Sequence, residues 1–333
     1  MAELALGIGT SHGPQLALPP AEWWRRRDWD REVPELWYQG RVLTFDELVD
    51  ARAGEHLDNE TTPDKFERRF NACQQAIGVL AETLAQAAPD AVIIVGDDQH
   101  ECFLEDNMPS IAIFGGPTVD TLPLSPDSGE FAAAPPELSR FPRERTANAC
   151  APDLSGHVVQ QLMRAGFDLA YCQVLPAGRH GGHGIGHAFS YVYRRLMRDQ
   201  VIPNVPIFLN TYYPPNQPPP QRCYELGRAL RQAIQSWDGP QKVAIVASGG
   251  LSHFVIEEDL DRQVLSALEA QDEAAITGLP VDWLNSGNSE IRNWMVLAGA
   301  MDAAEMRMHL VDYVPCYRSE AGTGCAMAFA HWQ

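Results

Sequence analysis

Long hydrophobic runs are missing from this 333-residue chain. No apolar stretch approaches the ~18–20 residues of a membrane-spanning helix. Positive charge is scarce, with 25 Lys and Arg against 44 Asp and Glu, a net charge of −19. Such a surface repels phosphate backbones, which argues against duplex nucleic acid as a partner. The start, MAELALGIGTSHGP, lacks the basic residues and apolar core of a signal peptide. The seven cysteines are odd in number, scattered and never in a CxxC pair. That fits reduced thiols in a cytoplasm rather than a disulfide framework or a zinc–cysteine site. Also absent are a GxGxxG fingerprint after a strand, a GxxxxGK[ST] loop, an HExxH pair and a GxSxG elbow. Their absence removes the commonest nucleotide, zincin and serine-hydrolase readings.

What is present is an ordinary globular composition, 45% hydrophobic and 21% charged. Short apolar runs alternate with helical patterns. Residues 4–9, 91–95, 110–114, 168–174, 207–211 and 242–248 read as strands. Residues 65–88, 153–165, 222–237, 258–277 and 289–312 read as helices. This alternation predicts an α/β fold, a central mixed β-sheet flanked by helices in a single domain spanning 1–333. Residues 20–62, with four tryptophans and Arg25–Arg27, read as an irregular, partly helical insertion and a lid candidate. Residues 115–150, rich in Pro, Ser and Gly, read as a loop-rich excursion.

Ligand sites in such sheets form at the carboxyl ends of the strands. Four predicted strand ends are followed by imidazole. His12 follows the first; His100 follows Gly96-Asp97-Asp98-Gln99; His180, His183 and His187 follow the 168–174 strand; His253 follows a Gly249-Gly250 turn. A shared site of His12, His100, His183 and His253 suits a divalent transition metal, because neutral imidazole binds Fe, Zn, Cu or Ni well. A carboxylate would complete a two-His, one-carboxylate set with open positions. Asp97, Asp98, Glu101 and Glu290 are the candidates. Histidines not spent on metal suit acid–base work near neutrality.

Read in order, GTSHGP, PDAVIIVGDD with QHECF, NMPSIAIFGG, HGIGHAF, FLNTYYPPNQPPPQRCYELG, SGGLSHF and SGNSEIRNWMVLAGA span residues 7–300. This ordered set resembles the class III extradiol ring-cleavage dioxygenases, the LigB-type catalytic subunit of the protocatechuate 4,5-dioxygenase family. The resemblance implies Fe(II) held by two His and one Glu, with a catechol-type aromatic diol and O2 as substrates. Ring opening would occur next to the diol. By position, His12 and Glu290 match metal ligands, His253 the acid–base histidine, and His183 a second pocket histidine. One position departs from the pattern. The second histidine ligand aligns with Gln99, and His100 comes one residue later. Either a local shift brings His100 to the metal or Gln99 supplies an amide oxygen.

The expectation is therefore a non-haem Fe(II) dioxygenase acting on a catechol-type ring that carries a carboxylate or another substituent. The 20–62 segment would close the pocket, in cis or across a homodimer. The Gln99 departure keeps a second expectation open, a Zn- or Mn-dependent hydrolase of a small amide or ester. A non-catalytic binding member is the third, although binding alone needs no acid–base histidine.

Overall fold

The computed structural model describes residues 2–124, 134–178, 182–239, 242–302 and 306–333. Its centre is a nine-stranded mixed sheet. The strands run β11 (His253–Val255), β13 (Thr323–Trp332), β1 (Glu3–Thr10), β10 (Lys242–Ser248), β4 (Ala91–Asp97), β9 (Asn204–Leu209), β5 (Ile111–Phe114) and β8 (Ala170–Cys172). The ninth, β12 (Met308–Tyr317), lies along the other edge of β13. β1, β10, β4 and β9 are mutually parallel, while β13 is antiparallel to β1, β11 and β12. Two hairpins stand off the sheet: β2 (Leu36–Tyr38) with β3 (Arg41–Leu43), and β6 (Thr118–Thr121) with β7 (Thr146–Ala149).

The apolar runs explain the layers. Every residue of β4, AVIIVGD, is buried, as expected for a strand covered on both faces. Side chains alternate along a strand, so Ile93 and Val95 face one core and Val92 and Ile94 the other. The first core includes residues of α4 (Pro152–Arg164), α6 (Pro220–Gln235), α7 (Glu258–Ala270), α8 (Glu273–Thr277) and α9 (Ile291–Met301). The second includes residues of α3 (Pro63–Ala87) and α5 (His187–Tyr191). Each fully buried Val, Leu or Ile contributes roughly 1.5–3 kcal/mol, so the two cores dominate stability. No helix among the described residues is long and apolar enough to cross a membrane.

The 20–62 segment contains α1 (Trp23–Asp30), the β2–β3 hairpin and α2 (Phe45–Ala51), the last opened by a Thr44–Glu47 capping box. The 115–150 excursion holds the β6–β7 hairpin; residues 125–133 within it lie outside the described residues.

Three elements differ from the sequence expectation. The helical pattern at 258–277 breaks at Gln271, whose φ is +52°. The pattern at 289–312 stops at Met301, and β12 begins at Met308. The strand expected over 168–174 shrinks to three residues. The long β12–β13 pair left no periodic signal. β13 is buried at every position and rich in Ala, Gly, Cys and Met rather than β-branched residues.

Candidate metal centre

Parallel register brings the strand ends together. Thr10 pairs with Ser248, and Ser248 with Gly96, so β1, β10 and β4 finish at one level. His12 leaves β1 there, and Asp97 closes β4. Glu290 arrives from the turn ahead of α9, and His187 opens α5. One ligand atom from each of His12, Asp97, His187 and Glu290 lies within 4.8 Å of all the others, and all four residues are buried.

Hydrogen bonds fix both imidazoles. Ser248 Oγ donates to the Ala188 carbonyl at 2.7 Å, so it accepts from His12 Nδ1 at 2.9 Å. Glu101 Oε2 accepts from His187 Nδ1 at 2.6 Å. Each ring then presents a bare Nε2, and the two Nε2 atoms stand 3.1 Å apart. His12 Nε2 also lies 3.4 Å from Glu290 Oε2 and 3.7 Å from Asp97 Oδ1. Two lone pairs and two carboxylates facing one point repel unless a proton or a cation sits among them. The donor set therefore fits a divalent cation.

The surrounding groups complete the electrostatics. Burial raises Asp97, and the charge of Glu290 raises it further, to about 7. Burial works against the Glu290 carboxylate too, but His253 and His12 overcome it and hold Glu290 well below the usual range. Glu290 Oε2 accepts the Gly250 N–H at 2.7 Å, and Oε1 faces His253 Nε2 at 3.2 Å. His253 Nδ1 donates to the Leu251 carbonyl at 2.8 Å. Burial alone would lower His253, yet Glu290 raises it to about 10. Glu101 is likewise opposed by burial, but His187 brings it down to about 2. Only glycine fits at 287, where a Cβ would stand 1.9 Å from the His253 carbonyl.

Six residues singled out from the sequence meet here: His12, Asp97, Glu101, Glu290, His253 and Gln99. Gln99 Nε2 donates to Glu290 Oε1 at 3.1 Å. His100 does not join them. Its φ of +62° turns its ring onto Tyr213, stacked at 3.7 Å, with Glu105 3.6 Å away. His183 is exposed, its Nδ1 bonded to the Leu175 carbonyl at 2.6 Å. Asp98 instead accepts the Cys102 and Phe103 N–H groups and shapes the turn. His180 lies outside the described residues. Asp97, one of the carboxylate candidates, joins His12 and Glu290 in the cluster, while His187 takes a place the sequence reading did not assign it. A signal for each existed. Asp97 and Gln99 share strand parity, and His187 stands four residues after His183 at a Gly186 helix start.

A cavity of about 850 Å³ opens over the centre. His12, Gln99, Glu101, His187, His253 and Glu290 form its floor; Arg26, Trp29, Arg140, Phe141, Leu122 and Phe254 contribute to its walls.

The chain is 33% identical over 175 residues to gallate dioxygenase of Pseudomonas putida, covering 49% of each chain. It is 25% identical over 184 residues to 2,3-dihydroxyphenylpropionate/2,3-dihydroxicinnamic acid 1,2-dioxygenase of Comamonas testosteroni, covering 55% of this chain and 49% of that one. The match thus spans about half the length of these curated relatives. A crystal structure of an uncharacterized Escherichia coli K12 protein aligns over 78% of this chain and 91% of its own, with 14% identity and a TM-score of 0.48. Residues 59–324, which hold Asp97, His187, His253 and Glu290, match the family described as the catalytic LigB subunit of aromatic ring-opening dioxygenase. A match over most of the sequence makes the chain a member of that family.

Proposed function

We propose that the protein is a non-haem Fe(II)-dependent extradiol dioxygenase that opens a catechol-type ring beside its two hydroxyls with O2. The observation that carries this reading is the convergence of two bare imidazole nitrogens and two carboxylates, with His253 alongside. His12, Asp97, His187 and Glu290 would hold the metal. Fe(II) there would supply the electron transfer between diol and O2 that no side chain provides. Ser248 and Glu101 keep the two imidazoles aimed at the centre. His253 has its Nδ1 tied to a carbonyl and its Nε2 beside Glu290 at the cavity floor; a bound cation would draw off the Glu290 charge that raises His253, and Nε2 would then be free to take the proton of an incoming phenol and later return it. Phe141 and Phe254 supply apolar walls for a flat ring. Seven free cysteines support the further reading that the protein works in a reducing cytoplasm.

The test is anaerobic Fe(II) loading, then a panel of catechols with O2 electrode and absorbance readings. Stoichiometric O2 uptake with a yellow ring-opened product supports the proposal. A second reading, Zn- or Mn-dependent hydrolysis of a small amide or ester, is favoured by one observation: Asp97 adds a second hard oxygen donor, and Gln99 stands where the resemblance expects imidazole. Zinc-dependent ester or amide cleavage without O2 uptake would select it.

A further inference from the structure

His253 stands on an edge. Its strand, β11, is three residues long and ends the sheet order, with β13 on one side. So short an edge strand keeps its place only where something else packs on it. The 20–62 segment does so at three points. Val255 shares a small apolar core with Leu36, Leu43, Phe45 and Leu48. Arg52 Nη1 donates to the Ile256 carbonyl at 3.1 Å. The backbone N–H of Gln39 donates to Glu257 Oε2 at 3.0 Å. Gln39 and Gly40 form the two-residue tip of the β2–β3 hairpin, with φ of +50° and +72°, as a type I′ turn requires.

From Glu257 the hydrogen bonds continue to His253. Glu257 Oε1 accepts from Asn288 Nδ2 at 2.8 Å, and Asn288 Oδ1 accepts the His253 backbone N–H at 2.9 Å. An ionised carboxylate only accepts, so Glu257 decides which way the Asn288 amide faces: nitrogen towards Glu257, oxygen towards His253. Asn288 lies two residues before Glu290 in the turn ahead of α9. It therefore sets the His253 backbone against the turn whose carboxylate stands 3.2 Å from His253 Nε2. Glu257 and Asn288 are buried, and neither they nor Gln39 are among the residues that line the cavity. Whatever they do for a bound ring, they do through His253.

We propose that Glu257 is a positioning residue for His253: it joins the tip of the β2–β3 hairpin to Asn288, so that the 20–62 segment braces the proton-carrying histidine from behind. The inference rests on the ring-cleavage reading for what His253 does, while the brace stands on the hydrogen bonds alone. It gives the hairpin a part in catalysis at a distance from the cavity. A side chain displaced by about 1 Å can cost about 10² in rate, so a loosened brace acts on kcat and leaves ring binding to the cavity walls.

The experiment cuts the path at two places in the full-length Fe(II)-loaded protein. Glu257→Ala removes the joint, and Glu257→Gln keeps one acceptor of two. Gly40→Val puts a branched side chain at φ +72°, where a Cβ already stands 3.3 Å from Trp283 Cδ1, and so shifts the hairpin tip. Glu257→Ala and Gly40→Val should each lower kcat about 10–100-fold, with KM within about twofold and bound iron per chain unchanged. Glu257→Gln should recover part of the loss, and the double variant should be no worse than the poorer single one. Deuterium exchange of the peptide over 252–258, followed by mass spectrometry, should quicken about tenfold in both, with β4 and β10 unchanged. If Glu257→Ala does not fold, Gly40→Val and Glu257→Gln carry the same comparison. Unchanged kcat, additive losses or a loss of iron would each overturn the brace. The ring-cleavage reading fails separately. If the wild type opens no catechol, quickened exchange at 252–258 in Gly40→Val keeps the brace without the reaction, and unchanged exchange removes it.

Discussion

The floor and the α1 wall of the cavity are built on opposite principles. On the floor, each group answers to more than one partner: Glu290 meets Gly250, Gln99, His253 and His12, and His187 is tied through Glu101. His12 and Asp97 stand at the ends of β1 and β4, held level by the parallel register of β10 between them, and the turns ahead of α5 and α9 bring in His187 and Glu290. The wall is a short helix tied to the core by the buried Asp30–Arg318 pair, with the more exposed Arg31–Glu320 pair just past its end. A floor so over-determined suits chemistry that tolerates little displacement. A wall on one main tie suits selection, since it can change without disturbing the centre.

Four substitutions probe this contrast. His253→Ala removes the proposed proton carrier and should lower kcat by about 10²–10⁴, with bound iron per chain unchanged in elemental analysis. Iron loss would move His253 into the ligand set. Arg318→Met leaves the buried Asp30 carboxylate without its cation, a loss of roughly 3–5 kcal/mol in urea unfolding. If stability barely changes, the wall has anchors beyond this pair.

The third test uses pH. Asp261 is buried under the turn that carries His253, accepting from Ser252 N at 2.8 Å, Ser252 Oγ at 2.6 Å and Tyr313 at 2.7 Å. Burial raises it from 3.8 to about 6. A carboxyl raised on folding favours the native state in its protonated form. That contribution is complete below pH ~4 and is lost as pH rises through about 6. The full swing is about 3 kcal/mol at most. Asp261→Asn should flatten the stability profile between those limits, and an unchanged slope would show that another group sets it. The smallest effect is expected for Glu101→Ala, which leaves His187 without its Nδ1 acceptor. Metal affinity, titrated anaerobically with Fe(II), should drop about 10–100-fold. An unchanged affinity would mean that His187 needs no orienting partner.

Much of the architecture was legible because buried parallel strands leave continuous apolar runs; AVIIV and KVAIVAS could hardly be anything else. His12, Glu290 and His253 were legible for a related reason: each sits just past such a run or just before an apolar helix. The centre's remaining partners depend on backbone turns that composition does not encode. At 99–100 the left-handed conformation of His100 carries its ring to Tyr213 and leaves the cavity to Gln99. At 183–187 the start of α5 puts His187 inside and leaves His183 outside. The β12–β13 pair escaped notice because neither strand alternates: β13 is buried at every position, and β12 is exposed or half-buried over most of its length.

The position of β13 also bears on how the molecule assembles. Thr10 pairs with Phe329, and Asp30 is held by Arg318, contacts separated by about three hundred positions along the chain. Synthesis delivers β1 and α1 early and their partners late. Until residues 318–332 emerge, β1 has an open edge and α1 has no seat for Asp30. Closing so long a loop is slow relative to local helix formation. The wall beside the cavity is thus among the last parts to take shape, and a nascent chain carries its future pocket open to solvent until then.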